Sequence, residues 1–454
     1  MIIVPKKPCQ CFKPVKMEHL LHYTWQHKAF PLRPLLTTDG QSVEVLNPGL
    51  HNTDAGPDFI GASVKIGGTL WVGNVEIHLR SSDWFRHHHD DSRDYDNVIL
   101  HVATVIDCPI LYPDGTEIPQ LQLDVPPYVK ENYSTLIHRD VLPRCKEVLA
   151  SLPILDIHQW MSALTLQRLT ERKDQIMARR ESLDKNWEDT LFVTVARNFG
   201  FGINGDAFEL WAHSIPMGAV AKHRDDLFQV EAIFFGQAGL LEGTFHDDYP
   251  LALQREYRYL RQKFSLTPIP VQQWKFLRLR PQNFPHIRIS QLAVLYYEQR
   301  LTLARLINTV DTASMQQLLL TRPTDYWHTR YTFDASPSRS SDKTLSLSSQ
   351  RLIMINSVAP MLFAYGSYKS DYSLCQRAQC VWESLPPESN SIIRRWAEAG
   401  VTCFNASDSQ ALIQLTRRYC QPRDCLRCRF GSEFISRTPD LLREGKETDG
   451  TFTL

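Results

Sequence analysis

No apolar run approaches the ~18 residues that a membrane-spanning helix needs, and the opening MIIVPKKPCQCFKP lacks the long apolar stretch of a signal peptide. The expectation is a cytoplasmic protein with no membrane partner. An excess of charge is also missing: 50 basic residues face 50 acidic ones, so any nucleic-acid partner must be held by a local patch rather than by a global field. Ten cysteines in 454 residues are too few for a disulfide scaffold, and no internal repeat of solenoid period occurs. The length exceeds what one core usually organises, so two or three domains are expected.

The pattern along the chain changes in character twice. MEHLLHYTWQHKAF, residues 17 to 30, places Leu20, Leu21, Tyr23 and Trp25 near helical spacing with Glu18 in the first turn. From Gln41 to about Asp124 short β-type runs alternate with turn signals at Pro48-Gly49, Gly67-Gly68 and Pro113-Asp114-Gly115. From about Ile154 to Leu320 the spacing is helical. SPSRSSDKTLSLSS reads as a mobile loop or linker, and helical spacing resumes after it. The predicted organisation is α+β: an N-terminal mixed-sheet domain over 1–150, a helical domain over 151–335, a Ser-rich linker over 336–349 and a helical C-terminal region with a cysteine cluster over 350–454.

GPDFIGASVKIGGTLWVGNVEIH carries the first chemistry. Trp71, Val75, Ile77 and Leu79 alternate with Asn74, Glu76 and His78, which predicts a strand with one core face and one polar face. Gly67-Gly68 suits a tight hairpin to the preceding strand, Phe59 to Ile66. The simplest register about those glycines sets Asp58 opposite position 77, beside Glu76 and His78. Two carboxylates and an imidazole in one place suit Mg²⁺ or Mn²⁺. The plainer account is a turn-capping aspartate, a surface ion pair and an ordinary strand histidine.

Asp58 after Pro57, followed by Glu76-Ile77-His78 on the next strand, resembles the PD-(D/E)XK nuclease fold with histidine in place of its terminal lysine. The resemblance implies a helix, often bearing a Glu, before a sheet whose second and third strands carry metal-binding acids. Carried onto this chain, it assigns the metal to Glu18, Asp58 and Glu76 and catalysis to Asp58, Glu76 and His78, with Lys65 as a migrated cation and His51 and Asn52 at the cleft. More widely, PGLHNTDAGPDF, GNVEIHLRSSDWFRHHHDDSRDYDNVILHV, LRPQNFPHIRISQLA and YCQPRDCLRCRFG are similar to a bacterial domain-of-unknown-function family, number 2851, which implies no reaction.

The loop after Glu76-x-His78 holds Asp83, His87, His88, His89, Asp90, Asp91 and Asp94. His87-x-His89-x-Asp91 matches a spacing of binuclear zinc hydrolases, although Ser92 stands where those enzymes have another histidine. A second reading lays Trp84, His87 and His89 along the cleft, with Gln120 extending the polar face. A third is a solvated loop. His101 reads as a satisfied strand histidine.

Cys420-x4-Cys425-x2-Cys428 gathers three thiols among Arg417, Arg418, Arg423, Arg427 and Arg429. Zinc or a four-iron cluster needs a fourth ligand, for which Cys403 is nearest in sequence. The arginines also suit phosphate, as do Arg278, Arg280 and Arg288 if they share a face. Three functions compete: a metal-dependent phosphodiesterase acting on nucleic acid by in-line attack of water, a non-catalytic nucleic-acid-binding or scaffolding protein on a degenerate nuclease fold, and a zinc hydrolase built on the histidine loop.

Overall fold

The computed structural model describes residues 14–31, 33–437 and 452–453. The chain divides into two compact units. Unit 1 takes residues 1–156, 398–401 and 415–453, and unit 2 takes 157–397 and 402–414. The segment with the three clustered cysteines therefore belongs to the N-terminal unit, where the sequence reading gave it to a separate C-terminal region.

Unit 1 opens with helix α1, Pro14–Gln26. Its apolar stripe buries Leu20, Leu21, Tyr23 and Trp25, and the Trp25 indole donates to the Pro48 carbonyl at 3.0 Å. The helix stops short of the expected Phe30 because Lys28 turns to a positive φ of 49°. Seven strands follow: β1 Leu35–Leu36, β2 Ser42–Asn47, β3 Leu50–His51, β4 Phe59–Ile66, β5 Thr69–Arg80, β6 Val98–Val105 and β7 Gln120–Gln122. They form one sheet in the order β1-β2-β4-β5-β6-β7, with β3 pairing β4. Pairing is antiparallel as far as β5 and parallel from β5 to β6 and from β6 to β7.

The parallel β5–β6 pair dictates what comes next. Parallel neighbours cannot be joined by a hairpin, so the chain must cross one face of the sheet. The crossover is helix α2, Asp83–Arg86, and two 3-10 turns over His89–Asp91 and Arg93–Tyr95. It covers the face to which Glu76 and His78 point. Both faces of this half of β5 are therefore covered, and Val75 through His78 are all buried. At the hairpin end Trp71, expected in the core, is 42% exposed, although its register partner Val64 is buried.

The rest of unit 1 contains helices α3, Pro127–His138, and α4, Lys146–Leu149, with a later helix over Arg429–Ser436.

Unit 2 is helical throughout its core, with Trp211, Phe234, Phe235, Trp327 and Trp382 fully buried. Its helices start where the sequence supplies acceptors for free N–H groups: Asn186, Asp226 and Asp371 each cap the helix that follows. The Ser-rich segment is no linker. Lys343 is buried and its ammonium donates to the carbonyls of Trp327 and His328, Ser341 N–H donates to His328, and Leu345 N–H donates to Thr321. Arg288 is buried in this unit as well, hydrogen-bonded to Gln291 and Asn283 and stacked on Phe201, so it has no part in a phosphate patch. Among the described residues no helix is long and apolar enough to cross a membrane.

Candidate functional site

Asp58 and Glu76 are tied to each other through the backbone. The Asp58 N–H donates to Glu76 Oε2 at 3.0 Å, and the N–H of Ile77 donates to Asp58 Oδ2 at 3.0 Å. This exchange depends on a register slip. From Ile66↔Thr69 to Ala62↔Gly73 the hairpin keeps the simple register, and then it shifts by one so that Phe59 faces Val75. The extra residue is accommodated at Gly61, whose φ of 69° favours glycine and whose N–H donates to the Asn74 side chain. Asp58 is thereby delivered beside Glu76.

Glu76 is 4% exposed, and its other oxygen faces nitrogen. Oε1 lies 3.1 Å from His89 Nε2 and 3.5 Å from His78 Nε2. Burial, then the neighbouring charge of Asp58, pushes the Glu76 carboxyl far above the ordinary carboxylate range. His78 is 1% exposed, and burial together with the surrounding imidazoles takes it down to about 2, so it is neutral at any physiological pH. His78 Nδ1 shares a hydrogen bond with His101 Nε2 at 2.9 Å, and its Nε2 lies 3.2 Å from His87 Nδ1. In the tautomer that donates from Nδ1 to His101, His78 turns a bare Nε2 toward Glu76 and His87, as a metal ligand requires.

One nitrogen from each of His78, His87 and His89 lies within 4.8 Å of the others. The loop achieves this with a left-handed residue: His88, at φ 60°, is exposed, while His87 and His89 on either side reach the group. The third ligand beside His87 and His89 thus comes from the strand residue His78 and not from Asp91, which is exposed on its 3-10 turn.

Two α1 residues complete the surroundings. His22 Nε2 lies 3.3 Å from Asp58 Oδ2. Burial opposes charge on this ring, but the hydrogen bond and charge of Asp58, with Glu18 and Glu76, win and raise its pKa. Glu18, one turn earlier on the same face, is itself raised by burial and lies within electrostatic reach of His22, Asp58 and His87.

Other expected residues are placed differently. Lys65 sits near the turn end of β4, paired with Glu44 at 3.4 Å, some six residues or about 20 Å along the strand from the site. It is no migrated cation. Trp84 is 2% exposed, beneath the histidines against His89, His101 and Tyr95, and is a platform instead of a cleft wall. Asn52 is used up in its own turn, donating to the Ala55 and Pro57 carbonyls and accepting from Asp54 N–H. His51 is exposed and packs beside His22 and Phe59. Gln120, buried opposite His101 in the β6–β7 register, has an Nε2 with no hydrogen-bond partner among the described residues, and His101 Nδ1 has none either. His101 is thus hydrogen-bonded to His78 through Nε2 with its Nδ1 left without a partner, and not the fully satisfied strand histidine expected. His22 was missed, although the Glu18–His22 spacing puts both on one helical face.

The fold and the site together define an α+β protein whose N-terminal sheet carries a carboxylate pair, Glu76 buried and Asp58 partly exposed, facing a cluster of imidazoles. The chain belongs to the family described as protein of unknown function (DUF2851), whose profile it matches over residues 18–391. No curated protein and no solved structure matches it.

Proposed function

We propose that this protein is a divalent-metal-dependent phosphodiesterase acting on nucleic acid, with unit 1 a variant of the PD-(D/E)XK nuclease core. The observation that carries the reading is the Asp58–Glu76 exchange facing His78, His87 and His89. Glu76 is buried beside another carboxylate and is ionised only if a cation joins it. The element order adds support: a helix bearing Glu18 precedes the sheet, and the two acids stand at β4 and β5.

The donor set of carboxylate oxygens and imidazole nitrogens suits Mn²⁺ better than Mg²⁺, which prefers oxygen alone. A bound ion supplies Lewis-acid polarisation of the phosphate and activation of water. The chain's own residues do the rest. Asp58 and Glu76 hold the ion. His78, being neutral, contributes a lone pair and cannot replace the charge of the missing lysine. His22, where burial opposes charge but Asp58 raises the pKa, is the ring placed to supply that charge when protonated. Exposed His87 and His51 stand at the rim, where Arg427 acts electrostatically on His51 and gives a phosphate a local cation in a chain of zero net charge.

The test is cleavage of single- and double-stranded DNA and RNA with Mn²⁺ or Mg²⁺. Glu76→Gln is expected to cut turnover by more than about 100-fold while nucleic-acid binding is kept, since even residues behind metal ligands cost 10- to 100-fold. Metal-independent binding without turnover in the wild type would leave the non-catalytic scaffold instead. One observation favours a second reading: three imidazole nitrogens within 4.8 Å form a set that zinc accepts. A zinc hydrolase predicts activity with zinc alone, lost together with the metal in His89→Ala.

A further inference from the structure

Cys420, Cys425 and Cys428 meet a fourth cysteine that their spacing did not reveal. Cys145, just before α4, lines the same small void, together with Leu136, Arg144, Tyr419 and Gly431. The expected fourth partner, Cys403, belongs to unit 2, where burial and Asp408 raise its thiol to about 12. We propose that Cys145, Cys420, Cys425 and Cys428 form a four-thiolate metal centre that clamps the C-terminal segment to the α3–α4 region of unit 1.

The surroundings are built for these sulfurs. The Arg144 guanidinium is committed to backbone carbonyls, those of Cys420 and Arg139, so it fixes the loop. Cys428 stands immediately before the helix Arg429–Ser436, and the backbone N–H groups of Gly431 and Phe430 are directed at it, the arrangement that stabilises a thiolate ligand. Gly431 has to be glycine, because a Cβ there would lie 2.3 Å from the Cys425 carbonyl oxygen. Burial raises all four thiols, Cys428 to about 12, so none serves as a nucleophile. A metal reverses this by displacing the protons.

The size of the void bears on which metal. Four sulfurs about 2.3 Å from one zinc ion leave no room for a water-sized sphere between them. The void here is about 10 Å³, the space of about one such sphere, and is much smaller than a four-iron cluster. Arg427 lies inside the Cys425–Cys428 loop, so the centre would also steady the cation beside His51.

Full-length protein purified without oxygen is to be analysed for iron, acid-labile sulfide and zinc, and its absorption recorded for sulfur-to-metal charge transfer. Iron with matching sulfide identifies a cluster, and stoichiometric zinc that is retained in His89→Ala identifies a single ion held by the cysteines; either supports the four-thiolate centre. Cys145→Ser should lower the bound metal at least about tenfold, while Cys403→Ser and Glu76→Gln keep it. Wild-type protein with neither metal nor charge transfer overturns the proposal even if the Cys145 variant fails to fold. Equal retention in Cys145→Ser, or equal loss in Cys403→Ser, overturns it as well.

Discussion

Glu76 and His78 are two residues apart on one strand, and each is held in the neutral form by its surroundings. Their neutrality has different origins: Glu76 is kept from ionising by burial and Asp58, while His78 is kept from charging by burial and by His101, His89 and His87. A divalent cation relieves both at once, since it lets the carboxylate ionise and takes the lone pair of the imidazole. His101 acts through His78 by the Nδ1–Nε2 hydrogen bond, which holds the ring orientation and, when His78 donates, leaves its Nε2 free of a proton. His101→Phe is expected to weaken Mn²⁺ affinity by roughly 10- to 100-fold, measured by calorimetric titration, with the fold intact by circular dichroism. Glu76 and His78 were legible on one polar face from strand alternation, and Asp58 in their neighbourhood from the glycine pair, while its pairing with Glu76 rests on the slip at Gly61. His22 and His101 were not legible, because a single histidine on a helix or strand carries no period of its own.

The elements that assemble the group are a bulged hairpin and a crossover. The hairpin's simple register was readable from Gly67-Gly68; the slip at Gly61 was not, because a bulge leaves no mark on hydrophobic alternation. Nor did the sequence announce that β5 and β6 run parallel, although that pairing is what sends the histidine loop across the sheet. Where β5 turns from hairpin strand to parallel strand, Gly73 lets the backbone approach: a Cβ there would lie 2.4 Å from Ile99 Cγ2 and 2.7 Å from the Asn97 carbonyl. Gly73→Ala should therefore destabilise the protein by about 1–3 kcal/mol, read from the midpoint of urea unfolding. An unchanged midpoint would mean that the β5–β6 approach is looser than described.

At the scale of the whole molecule, the sheet-then-helices division was visible in the change of hydrophobic period, while the return of residues 415–437 to unit 1 was not, since contacts distant in sequence have no local signature. Cys145 was invisible for the same reason. Unit 2 has its own buried charge. Glu231 accepts from Tyr249, Ser290 and Thr324 at 2.7, 2.7 and 3.0 Å, yet burial outweighs these bonds and raises its carboxyl to about 7. The unfolded value is 4.5, so the stability present below pH 4.5 is lost as pH rises through 7, by about 3 kcal/mol. The thermal midpoint should fall between pH 5 and pH 8, and Glu231→Gln should remove most of that fall.

The most direct test of the metal-centre account is a crystal grown with Mn²⁺ and an anomalous difference map. The account predicts a peak bounded by Asp58, Glu76 and His78 that disappears in Glu76→Gln. A map without a peak there at saturating Mn²⁺, or one unchanged by the substitution, would contradict it.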